Sequence, residues 1–87
     1  MFTPQVLFCD GDEAAVTLGA ASVNVIRNRE GALRYSVWAG DDLVVDEVPF
    51  HGAVYALSVD LGFRPHEAQA AVLLAEQVAD ESVLGAP

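Results

Sequence analysis

The apolar pattern of this chain changes its period at Pro49, and this change constrains the fold more than any other feature. Before Pro49, residues 33–38 alternate, with Leu33, Tyr35 and Val37 on one face, as in a half-buried strand. After Pro49, apolar residues recur at spacings of three and four, which is typical of amphipathic helices. Proline cannot donate a ladder hydrogen bond, so it marks the end of the last strand. The sequence therefore predicts a β-rich first half and a helical second half.

Residues 23–48 predict an antiparallel meander of strands joined by polar turns. Residues 27–31 and 39–42 form the turns, because glycine beside Asp, Asn or Glu supplies the backbone freedom and local hydrogen bonds of a tight reversal. A strand over residues 43–48 follows the second turn. This segment supplies most of the predicted sheet.

The first part of the chain is less clearly patterned. Residues 5–9 suit a short strand, followed by a turn at residues 10–13. Residues 15–22 are interpreted as a further strand interrupted near Gly19. The alternative is a helix over residues 12–26, which β-branched side chains and the glycine within the segment disfavour.

Two helices are predicted in the last third. The first covers residues 51–61 and ends at Gly62, and the second runs from Pro65 to about residue 83, with Glu67 in its positive first turn. The second helix carries a stripe of small apolar residues, which we interpret as core packed on the sheet and on either the first helix or a second subunit. The stripe consists of Ala68, Ala71, Val72, Ala75, Val78 and Ala79.

These patterns predict an α+β fold: a three- or four-stranded antiparallel β-meander followed by an antiparallel helix pair packed on one face. We expect a single domain over residues 1–87, with residues 1–48 mainly β and residues 51–84 forming two helices, because two separate cores would be too small. The single cysteine, Cys9, lies in the apolar run 6–9 and is predicted to be a buried thiol in a reducing compartment. No signal peptide or membrane-spanning run is apparent, so we expect a soluble, cytoplasmic protein.

The charge of the chain limits its partners. Thirteen acidic residues oppose four arginines and no lysine, giving a net charge of -9, while 53% of the residues are hydrophobic. This composition is that of a folded domain and not of a disordered acidic tail. Direct binding to nucleic acid is disfavoured, because the phosphates of a nucleic acid are negatively charged like this chain. Arg27, Arg29 and Arg34 cluster at one hairpin, but Glu30 lies among them. A basic protein is the expected partner.

Known catalytic and metal-binding motifs fail at decisive positions. Asp10 opens a segment like a calcium loop, yet Ala15 and Ala21 stand where a glycine and a bidentate glutamate are required. His66 is followed by Glu67 as in zinc proteases, but residue 70 is alanine, where the second histidine belongs. Without lysine, neither a phosphate-binding P-loop nor Schiff-base chemistry is available. We therefore expect no enzymatic activity, no cofactor and no metal.

The segment 61–68, followed by Ala71 and Val72, resembles the helix, Gly-aromatic turn and helix of ubiquitin-associated-like domains. The upstream leucine is one place out of step with that family, and no residues follow to form its third helix. The resemblance implies a way of joining two helices, and no ubiquitin-binding function is carried over.

The sequence favours a non-enzymatic protein-binding module, a small regulatory or accessory factor with a basic protein partner. Carboxylates alternate with apolar residues over residues 41–50, and aromatic side chains near them can anchor a partner. The candidate partner-binding residues are Asp41, Asp42, Asp46, Glu47, Trp38 and Phe50.

Two other hypotheses fit the same composition. The chain could imitate nucleic acid and inhibit a DNA- or RNA-binding protein, as small proteins of phages and mobile elements do, which predicts carboxylates gathered on one face. It could instead be a structural protein whose acidity reflects a salt-adapted source, with carboxylates spread over all faces. Because so small a domain gains from association, a homodimer through the C-terminal helix is also considered.

Overall fold

The computed structural model describes residues 3–10 and 13–84 and shows an α+β fold, with an antiparallel sheet followed by helices. Within these residues, five strands lie in the sheet in the order of the chain, so that each strand pairs with the next one. The strands are β1 (Gln5–Asp10), β2 (Glu13–Leu18), β3 (Ala21–Arg27), β4 (Leu33–Ala39) and β5 (Asp42–Val48). The helices are α1 (Phe50–Tyr55), which continues as a π-helical segment (Ala56–Asp60), and α2 (Pro65–Leu84).

The described part of the chain forms a sheet of five strands, where three or four were predicted. The difference arises at Gly19, where the chain reverses between β2 and β3 and Leu18 lies opposite Ala21 in the register. Gly19 has a φ of 58°, a left-handed conformation that glycine adopts without steric cost. The interruption predicted near Gly19 is therefore a hairpin turn, and the alternative helix over this segment does not form. Gly11 and Asp12, in the predicted turn at residues 10–13, lie outside the described residues.

The core lies between one face of the sheet and the helices. The alternation predicted for β4 is confirmed, since Tyr35 and Val37 are buried and Leu33 packs against the core. The small-residue stripe of α2 packs against this same core, because small side chains allow a helix to approach a sheet closely. The buried members of the stripe are Ala68, Ala71, Val72, Ala75 and Ala79, and Val78 is partly buried beside them.

The helix predicted over residues 51–61 is present but not uniform. After the α1 segment the hydrogen bonding widens, and the Leu61 amide donates to the Ala56 carbonyl at 3.0 Å, five residues back. Gly62, with a φ of 80°, ends the turn as predicted. Gly52 brings α1 close to β5, since a Cβ added there would lie 2.9 Å from Val48 Cβ.

Both helices lie on the same face of the sheet, as the contacts of Tyr35 show. Its ring meets Phe50 of α1 edge to face, with centroids 6.0 Å apart, and its hydroxyl donates a long hydrogen bond of 3.5 Å to Glu76 Oε2 of α2. Burial, reinforced by the Glu76 carboxylate, raises the pKa of Tyr35 above its ordinary value. Nearby, Arg27 Nη2 of β3 pairs with Asp80 Oδ1 of α2 at 3.0 Å.

Cys9 is exposed, and the prediction of a buried thiol is wrong. The reason is the position of β1 at the edge of the sheet, where, among the described strands, β2 alone pairs with it. The Cys9 thiol contacts the Val78 carbonyl at 3.7 Å. Among the described residues, no helix combines the length and the apolar character needed to cross a membrane.

Candidate functional site

The sheet has an open face opposite the helices, and this face holds a depression of about 300 Å³. Its position follows from strand alternation, because the side chains of β4 that do not enter the core, including Ser36 and Trp38, point to the open side. Four neighbouring strands contribute to its lining. The lining residues are Glu13, Asn24, Ile26, Ser36, Trp38, Asp46 and Glu47.

The centre of the depression combines apolar and polar groups from β3 and β4. Asn24 lies opposite Ser36 in the register, so these two small polar side chains form the middle row. Ile26 is 47% exposed, and Trp38 is half-buried. The depression therefore presents apolar surface on both sides of a polar row.

A β-bulge in β5 places two consecutive carboxylates on this depression. Tyr35 pairs with Val48 and Val37 pairs with Val45, so Asp46 and Glu47 together lie opposite the single residue Ser36. In a regular strand two adjacent side chains would point to opposite faces. Here both line the depression, and the sequence pattern gives no sign of this irregularity.

Glu47 adopts a left-handed conformation with a φ of 52°, and it is the single non-glycine residue with positive φ within the described part of the chain. The left-handed region disfavours side chains that carry a Cβ, at a cost of about 1–2 kcal/mol. The bulge therefore places a strained glutamate where glycine would fit more easily. Backbone strain of this kind is concentrated at functional sites.

The carboxylate of Asp46 is held by a neighbouring hydroxyl. Ser36 Oγ donates to Asp46 Oδ1 at 2.6 Å, a short distance typical of a hydrogen bond to a charged acceptor. A carboxylate has about four acceptor positions, so this bond leaves capacity for a further donor. Glu13, on β2, brings a carboxylate to the opposite side of the depression. The lining residues that the structure describes include three carboxylates and no arginine, and the site is therefore acidic.

The structure brings together three of the six predicted partner-binding residues, Trp38, Asp46 and Glu47. Asp41, in the turn between β4 and β5, and Asp42, the first residue of β5, are exposed and lie outside the lining of the depression. Phe50 lies on the helix side of the sheet, where it packs against the Tyr35 ring.

Sequence reasoning did not find the other four lining residues, Glu13, Asn24, Ile26 and Ser36. Ser36 could have been found, because the predicted alternation of β4 puts it on the same face as Trp38. The remaining three depend on the register between β2, β3 and β4, which the sequence does not show.

The carboxylates of the described residues do not share one face. Glu13, Asp46 and Glu47 lie on the depression, whereas Glu76 and Asp80 lie on α2, on the helix side of the sheet. Within the residues that the structure describes, no group of three His, Cys, Asp or Glu side chains is arranged to hold a metal ion.

Comparison with known protein families, with curated proteins and with solved structures finds no match. The acidic and partly apolar surface of the depression indicates which ligands can bind there.

Proposed function

We propose that this chain is a non-catalytic protein-binding module whose depression receives a basic segment of another protein. The observation that carries the proposal is the arrangement of three carboxylates, those of Glu13, Asp46 and Glu47, around the apolar side chains of Ile26 and Trp38. An arginine or lysine side chain matches this arrangement, since it joins an apolar stem to a cationic head.

The tryptophan adds to the attraction for such a side chain. A cation lying over an indole ring gains about 0.5–2 kcal/mol, depending on how much water is excluded. Arginine is favoured over lysine, because its planar guanidinium stacks on Trp38 and can donate to Asp46 at the same time. The Ser36 hydroxyl already holds the Asp46 carboxylate in one orientation, which lowers the entropy lost on binding.

Trp38 is the single tryptophan of the chain and lies in the depression, so its fluorescence reports binding there. We expect an arginine-rich peptide to change the emission of Trp38 in a saturable titration. A lysine-rich peptide should bind more weakly, and a glutamate-rich peptide should have no effect. Raising the salt concentration should weaken binding, because the attraction between exposed charges is screened over about 8 Å at physiological ionic strength.

A pair of matched variants separates the depression from the general acidity of the chain. Asp46→Asn with Glu47→Gln removes two carboxylates from the depression, and Glu30→Gln with Asp60→Asn removes two exposed carboxylates elsewhere. Both double variants have the same net charge. Only the first should weaken peptide binding by about tenfold or more, which corresponds to about 1.4 kcal/mol.

Equal loss of affinity in the two double variants would refute the proposal, since binding would then depend on net charge alone. That result is the one expected from the hypothesis of a salt-adapted structural protein. The nucleic-acid-mimic hypothesis requires a different outcome, in which the chain displaces duplex DNA or RNA from a basic nucleic-acid-binding protein and the Asp46 and Glu47 substitutions abolish that displacement.

A further inference from the structure

The two edges of the sheet differ sharply in their chemistry. The β1 edge carries the consecutive apolar residues Val6, Leu7 and Phe8, which are 49%, 61% and 39% exposed. Residues 3–9 contain no charged side chain. An exposed apolar edge strand presents unpaired backbone amides and carbonyls and is a template for another strand.

The β5 edge is protected against such pairing. It carries Asp42, Asp46 and Glu47, its register shifts twice relative to β4, and Pro49 follows it directly. Charges, bulges and proline are the features that natural edge strands use to prevent association. Pairing of β1 with the β5 edge of another copy, which would extend into a filament, is therefore blocked.

We propose that two copies of this chain associate through antiparallel pairing of their β1 strands. The pairing joins the two sheets into one continuous sheet and covers the exposed apolar edge of each copy. A two-fold axis perpendicular to the sheet relates the two copies, so each copy contributes the same surface to the interface. Both β1 edges are then occupied, and no further copy can be added.

The distribution of charge favours this arrangement over other ways of bringing together two molecules that each carry a net charge of -9. β5, with its carboxylates, lies four strand spacings from β1, or about 19 Å. This distance exceeds the screening length of about 8–10 Å in physiological salt, so the β5 carboxylates of one copy repel the other copy only weakly. In the antiparallel arrangement, the end of β1 that lies beside Glu13 of β2 is at the opposite end of the interface from the same end of the partner, so the Glu13 residues of the two copies stay apart.

The C-terminal helix offers less surface for the same purpose. The small-residue stripe that could pack against a second helix is buried against the core of its own chain, including Ala71, Val72 and Ala75. The exposed side chains at the start and middle of α2 include the polar residues His66, Gln69 and Gln77, and Leu73, at 41% exposure, is an isolated large apolar residue among them, in contrast to the three consecutive apolar residues of β1.

Sedimentation velocity at increasing protein concentration tests the dimer. The interface of one short strand pair is small, so we expect a dissociation constant between about 10 μM and about 1 mM. Dimerisation should strengthen as salt is raised, because salt screens the repulsion between two acidic molecules. This dependence has the opposite sign to that of basic-peptide binding, so the dimer and the proposed function can succeed or fail separately.

Substitution of Leu7 tests the surface. Leu7 is the extra residue of a β1 bulge, has no partner in the β1–β2 register and is 61% exposed, so we expect a charged side chain at this position to leave the fold intact. Leu7→Lys and Leu7→Glu should each raise the dissociation constant at least about tenfold, although they shift the net charge in opposite directions. Val59→Lys, at a residue that is 59% exposed on the π-helical segment, is the control and should leave the dimer intact.

Hydrogen exchange supplies a second measurement that does not depend on a variant. Amides of β1 should exchange more slowly at high protein concentration, whereas amides of β5 should not change. A chain that stays monomeric at about 1 mM and high salt overturns the proposal. A dimer that persists unchanged in both Leu7 variants also overturns it, because association would then use another surface such as α2.

Discussion

Replacement of Glu47 by glycine should stabilise the fold while weakening the binding of a basic segment. Glu47 has a φ of 52°, where a side chain with a Cβ is disfavoured by about 1–2 kcal/mol. Glycine removes this cost but gains about 0.5–1 kcal/mol of conformational entropy in the unfolded chain. The net expectation is a gain of about 0.5–1 kcal/mol in the free energy of unfolding.

Glu47→Ala is the matched comparison for this prediction. It removes the same carboxylate and leaves the same net charge, but it keeps the Cβ and therefore the strain. Both variants should bind an arginine-rich peptide less tightly than the unmodified chain, and only the glycine variant should gain stability. The difference between them isolates the backbone conformation from the charge.

Urea denaturation and thermal melting measure the effect. A gain of 1 kcal/mol corresponds to a rise of about 4–8 °C in melting temperature for a domain of this size. If Glu47→Gly is no more stable than Glu47→Ala, the reasoning about strain at the bulge is wrong. If the glycine variant is more stable and binds the peptide as tightly as the unmodified chain, the strain is real but Glu47 has no part in recognition.

Two further predictions concern the helix side of the sheet. Gly52→Ala should lower the melting temperature, because the added Cβ would lie 2.9 Å from Val48 Cβ. This overpacking costs about 1–3 kcal/mol and outweighs the gain in helix propensity of about 1 kcal/mol. An unchanged or higher melting temperature would show that α1 can move away from β5. Burial and the Glu76 carboxylate raise the pKa of the Tyr35 hydroxyl in the folded protein. Above pH about 10 this hydroxyl is therefore deprotonated in the unfolded chain but still protonated in the folded one. Urea melts should therefore show stability falling above that pH by up to about 1.4 kcal/mol per pH unit, and Tyr35→Phe should reduce this slope.

The strands and helices with a strong period could be predicted from the sequence. In β4 the alternation of apolar and other residues gave the correct buried face, and α2 was predicted at Pro65 with its small residues in the core. The segment around Gly19 was harder, because short strands rich in alanine and valine fit either period. Only the pairing of Leu18 with Ala21 shows that a turn separates two strands there.

The candidate site could be predicted only in part, because it depends on cross-strand geometry. The sequence indicated Trp38, Asp46 and Glu47, but a regular strand would have placed Asp46 and Glu47 on opposite faces. The bulge that unites them requires a left-handed glutamate, and a sequence pattern predicts this conformation for glycine or asparagine instead. The contribution of Glu13 from β2 depends on the register of three strands.

The two proposed surfaces share one sheet, and their geometry links them. The depression is centred between β3 and β4, about two and a half strand spacings from β1, so a β1-paired dimer separates the two depressions by six spacings, or about 30 Å. The two-fold axis perpendicular to the sheet puts both depressions on the same face. A partner with two basic segments can therefore bind both copies at once. The gain in affinity should be largest when a flexible linker of about 30 residues joins the two segments and matches the separation of the depressions. Because salt weakens the basic contacts and strengthens the dimer, this bivalent binding should be tightest at an intermediate ionic strength.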